Sequence, residues 1–123
     1  MSLETFSNAQ VDALLELLAL GMYVDGHLAG GEDEKVKQIA RAAGVPPGYD
    51  LDQALDSAIT AVSRAPINDA TIPEHLSRIS AGLGNRAARE IAFAALEEVH
   101  LGDGGEAESE MKLAAAVKAR FEL

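Results

Sequence analysis

The chain reads as an all-α protein, a single compact bundle of about six helices containing a helix-turn-helix duplicated with pseudo-twofold symmetry. Three features lead there. Apolar residues are 48% of the 123 but aromatics only 4%, with no Trp, so the interior has to be filled by Leu, Ala, Ile and Val. Ala and Leu are the best helix formers, whereas strands draw on aromatic and β-branched side chains. Apolar positions also recur at helical spacing in six successive runs, separated by Gly, Pro and capping residues. Finally, the string D-G-x5-E occurs twice, as Asp25-Gly26 to Glu32 and as Asp103-Gly104 to Glu110, each copy lying between two helical runs.

Each helix has a local reason. Ser7 and Gln10 have the S-x-x-Q spacing of a capping box, and Phe6 and Val11 bracket them as a hydrophobic staple, so the first helix starts there. Leu14, Leu15, Leu17, Leu18 and Leu20 leave it no polar face, which predicts a central helix surrounded by others, running to about Val24. Gly26 ends it, and a second helix runs from about Glu32 to Ala43 with Val36, Ile39, Ala40 and Ala43 inward, stopped by Gly44 and Pro46-Pro47. Asp50 caps the third, whose Leu51, Leu55, Ile59 and Val62 face the core until Ala65-Pro66. Thr71, followed by Pro73 and Glu74, starts the fourth, lined by Leu76, Ile79 and Leu83. Asn85 caps the fifth, with Ala88, Ile91, Ala92, Ala95, Leu96 and Val99 inward. The sixth follows the second D-G turn and buries Leu113, Ala114, Val117 and Phe121.

Superposing the two turns sets Leu18 on Leu96, Leu15 on Phe93 and Ile39 on Val117, all apolar, and Asp12 on Glu90. The matching apolar phase makes the halves, about 7–45 and 85–122, structural repeats. The segment 46–84 has no counterpart and reads as a helical insert within one domain, 1–123, because its loops are too short for a domain boundary.

Twenty Asp and Glu against ten Lys and Arg give a net charge of −10, which repels nucleic acid and anionic membrane surfaces and favours a cation or a basic partner surface. The chain has no Cys, hence no disulfides and no thiolate metal sites. The N-terminus lacks the pattern of a signal peptide, and the longest uncharged apolar stretch, Leu17 to Val24, falls well short of the roughly 20 residues that span a bilayer. No membrane insertion and a cytoplasmic location are therefore expected.

The D-G turns carry the most chemistry. Gly permits a positive φ, the short Asp can fold its carboxylate back over the loop, and the Glu falls in the first turn of the next helix. Oxygen ligands of this kind suit Ca²⁺, Mg²⁺ or Mn²⁺, which makes Asp25, Glu32, Asp103 and Glu110 the candidate metal ligands. The same carboxylates also serve as ordinary helix N-terminal charges, stabilising by about 0.3 to 1 kcal/mol each with no metal. An EF-hand shares the end of this pattern, but its first two ligand positions hold Gly21 and Tyr23 in one copy and Val99 and Leu101 in the other, so a true EF-hand is not expected. The second copy is the more acidic: Glu97, Glu98, Asp103, Glu106, Glu108 and Glu110 crowd it, with no Lys or Arg between Arg89 and Lys112. His27 and His100 flank the turns at different offsets, which argues against a shared ligand role, and His75 lies away from both. No nucleophile elbow, phosphate loop or dinucleotide fingerprint is present, so no enzyme activity is expected.

Leu17 to Ala40, a leucine-rich helix running into Met22-Tyr23-Val24-Asp25-Gly26-His27-Leu28 and then Glu32, resembles the TerB-like family associated with tellurite resistance. The second copy, Asp103-Gly104 to Glu110, is similar, although Glu106 stands where the first copy has the apolar Leu28. The resemblance covers about half of the chain. It implies an all-helical domain with a pseudo-symmetric acidic face, metal-ion binding, and a role in stress response or in recruiting other proteins. Two functions follow: a non-enzymatic regulatory domain holding a divalent cation through the duplicated turns, or a structural module whose acidic face docks on a basic protein without metal.

Overall fold

Helix α1 (Asn8–Tyr23) opens with the expected capping box: the Ser7 amide donates to Gln10 Oε1 at 2.9 Å, and the Gln10 amide donates to Ser7 Oγ at 3.2 Å. The computed structural model describes residues 6–23, 32–45, 48–64, 70–102 and 108–122. Among them the regular elements are all helical: α2 (Glu32–Ala43), α3 (Leu51–Ser63), α4 (Ile72–Leu83), α5 (Arg86–Gly102) and α6 (Glu108–Arg120) follow α1. α2 ends where Gly44 takes φ +113°, a conformation that costs other residues a steric clash. Asp50 caps α3 by accepting the Gln53 amide at 3.1 Å, and Asn85 caps α5 by accepting the Ala88 amide at 2.8 Å. α4 departs from expectation at its first residue. Thr71 precedes it in a helical backbone conformation (φ −92°, ψ −28°) and its side chain makes no capping bond, so the start rests on Pro73, whose fixed φ suits the first turn. The Gly26, Pro46-Pro47 and Ala65-Pro66 signals lie outside the described residues.

Hydrogen bonds between elements set the helix directions. The Phe6 amide donates to Gly44 O at 3.0 Å, which brings the start of α1 to the end of α2. Gln10 Nε2 donates to Leu83 O at 2.9 Å, so the end of α4 is there too. The Tyr49 hydroxyl, just before α3, donates to Asp12 in the second turn of α1. Arg89, in the first turn of α5, donates to Gly84 O at 2.8 Å and to Phe121 O at 3.2 Å, which adds the start of α5 and the end of α6. The helices therefore alternate in direction. α1, α3 and α5 leave from one pole, at which α2, α4 and α6 finish.

α1 is the centre of the core. It packs against α2, α3, α4 and α5, and Leu14, Leu15, Leu17, Leu18 and Leu20 are all fully buried. Its most extensive neighbours are α3 and α4, which supply much of the interior through Leu51, Leu55, Val62, Leu76, Ile79 and Leu83. α4 comes close enough that a Cβ on Gly82 would sit 2.9 Å from Ala13 Cβ. The two hairpins have different surroundings: α2 lies against α1, α3 and α5, whereas α6 lies against α4 and α5 and is closed by Leu113, Val117 and Phe121. Ile59, Ile91 and Ala114, expected inside, are only half-buried.

The expectation that α1 has no polar face is corrected. Asp12 is exposed and Glu16 half-buried, and as an i, i+4 pair they form a narrow acidic strip that the surrounding leucines mask in a count of apolar residues. Among the described residues no helix is long and apolar enough to cross a membrane.

Candidate functional site

Asp25 and Asp103 lie outside the described residues, as does His27. Glu32 is the first residue of α2 and Glu110 falls in the first turn of α6, and the side chains of both, like that of His100 in α5, are also outside what is described. Among the described residues no three His, Asp or Glu side chains come together as a group able to hold a metal ion. What the described residues do assemble is a pair of clefts that meet at Glu16, on the acidic strip of α1.

The first cleft, of about 380 Å³, runs between α1 and the start of α3. Asp12 and Glu16 form one wall; Tyr49, Asp50, Gln53 and Ser57 form the other, over Ala54 and Ala58. Partial burial, and then the hydrogen bond to Asp12 and its charge, raise the Tyr49 hydroxyl above its ordinary range. It therefore stays protonated at neutral pH and acts as a donor to the carboxylate. Asp50 is committed to capping α3, so each side of this cleft is tied to the fold.

The second cleft has a similar volume and is lined by Glu16, Ala61, Arg64, Thr71, Glu74, His75 and Arg78. Arg78 Nε donates to Glu16 Oε2 at 3.1 Å and Nη2 lies 3.1 Å from the same oxygen as an ion pair, joining α4 to α1, and Arg78 Nη2 lies 3.0 Å from His75 Nδ1. His75 is 8% exposed and is the buried polar residue of the described core. Burial depresses its pKa below 6.5; the charge of Arg78 adds to this, and Glu16 and Glu74 oppose it. A guanidinium has no acceptor, so the 3.0 Å contact requires an unprotonated Nδ1 with the ring proton on Nε2. The arrangement can hold, present or release a proton at one imidazole, and it offers mixed charge at its mouth.

Elsewhere Lys37 reaches from α2 to Asp52 of α3 at 2.8 Å. That bond raises the lysine and lowers the carboxyl, on a surface where such pairs add little to stability. Sequence reasoning missed the Glu16–Arg78–His75 chain. The available signal was Asp12 and Glu16, two carboxylates one turn apart in an otherwise apolar helix, since a polar strip there needs partners on whatever packs against it. Comparison with protein families, curated proteins and solved structures finds no match to this chain.

Proposed function

We propose that this is a non-enzymatic regulatory or stress-response domain that binds a divalent cation, Ca²⁺, Mg²⁺ or Mn²⁺, through Asp25, Glu32, Asp103 and Glu110. This is the property that the likeness to TerB-like proteins implies. One observation carries the reading: α1 and α5, which lead into the two D-G turns, start at the same pole, pack on each other, and are 16 and 17 residues long. Helices of nearly equal length that set out together end together, at about 1.5 Å per residue. Tyr23 and Gly102, the last residues before the turns, thus belong to one pole, and four carboxylates from two turns make a fuller ligand set than either turn alone. Exposed Glu97 and Glu98 near the end of α5 favour a second reading, in which this pole receives a basic protein surface without metal.

Calorimetric titration with each ion, paired with thermal unfolding, separates them. A site that exists only in the folded state raises stability by mass action. The expected result is a shift with divalent ion that exceeds the shift with sodium chloride at matched ionic strength and is lost in Asp103→Asn with Glu110→Gln. Equal responses to all cations would remove metal binding and leave the interaction reading.

A further inference from the structure

We propose that the Glu16–Arg78–His75 chain is a proton-operated latch between α1 and α4, in which the neutral ring of His75 holds the Arg78 guanidinium and protonation releases it. The geometry allows one proton arrangement at neutral pH. Arg78 Nη2 is 3.0 Å from His75 Nδ1 and 3.1 Å from Glu16 Oε2, to which Nε also donates, so the guanidinium is held between an imidazole lone pair and a carboxylate. A proton on Nδ1 would oppose two donors and two positive charges at that distance. The ring cannot move away easily, because His75 is 8% exposed and held in the first turn of α4. Arg78 can: its side chain is 51% exposed. Protonation therefore expels the arginine and leaves the histidine in place. Glu16, whose side chain is 21% exposed, exchanges a guanidinium neighbour for an imidazolium, so no carboxylate is stranded without a cation.

Among the described residues the charged groups around the ring are few. Glu16 faces it from α1, Arg64 from the end of α3, and Glu74 and Arg78 from α4 itself. α5 and α6 also touch α4, but Arg89 is engaged at the far end of that helix, and Arg86, Glu90, Glu97, Glu98, Lys112, Lys118 and Arg120 are all exposed. Because Arg78 also lines the second cleft, its release changes that cleft's wall as well as the α1–α4 contact.

Nitrogen-15 NMR of the full chain tests this across the range in which histidine changes charge, about pH 5 to 8. The latch requires neutral His75 to be the Nε2–H tautomer, to titrate below 6.5, and to carry the Arg78 Nε–H resonance with it at the same midpoint. Arg78→Ala should raise the His75 midpoint and Glu16→Gln should lower it. An Arg78 signal unmoved while His75 titrates, an Nδ1–H tautomer, or an Arg78→Ala midpoint equal to that of the unmodified protein would each overturn the proposal. The titration of the unmodified protein decides the matter even if a variant folds poorly.

Discussion

Gly82 shows how a single atom sets the distance between two helices. Alanine at an exposed interior helix position would stabilise by about 1 kcal/mol through propensity. Here the added methyl meets Ala13 Cβ at 2.9 Å, and a Cβ fixed to the backbone cannot yield as the end of a long side chain can. Overpacking costs about 1 to 3 kcal/mol, so Gly82→Ala should lower stability on balance. A urea midpoint that rises instead would mean the helices separate freely. The effect of His75 is one of pH. Its folded pKa lies below its unfolded value of 6.5, so between the two the unfolded chain binds more protons. Its contribution is therefore complete above pH 6.5 and is lost as pH falls from there towards the folded value. Plotted against pH, the stability difference between the unmodified protein and His75→Phe should decline below 6.5; a flat difference would exclude a neutral buried ring.

At the scale of elements, helices here terminate one another. Gln10 of α1 binds the last carbonyl of α4, and Arg89 of α5 binds the carbonyls that end α4 and α6, so groups that every helix leaves unpaired are satisfied across the bundle. The helices also differ sharply in what they bury. Leu18 is wholly enclosed at the middle of α1, and Leu18→Ala should cost about 2 to 5 kcal/mol. Met111 on α6 is 63% exposed, and Met111→Ser should fall within about 0.5 kcal/mol of neutral. Parallel denaturant curves for the two variants check both; an unchanged midpoint for Leu18→Ala would place α1 at the periphery.

For the whole molecule, a net charge of −10 opposes compaction. Raising monovalent salt from low ionic strength should therefore increase the thermal midpoint by screening; a fall would mean that attractive pairs such as Glu16–Arg78 and Lys37–Asp52 outweigh the excess charge. Six helices, their caps at Ser7, Asp50 and Asn85 and most of their inward faces were legible from residue order alone, because capping reaches three residues and helical periodicity about four. The duplicated D-G-x5-E string is a motif of the sequence alone, and the turns and the side chains of its candidate ligands Asp25, Glu32, Asp103 and Glu110 lie outside the described residues. The alternating order of the helices, the partners of the α1 acidic strip and the burial of His75 beside Arg78 were decided only by the tertiary structure. Tyr49 meets Asp12 across 37 residues, Arg78 meets Glu16 across 62 and Gln10 meets Leu83 across 73. Such pairings follow from which apolar faces close on α1, and no local pattern records that choice.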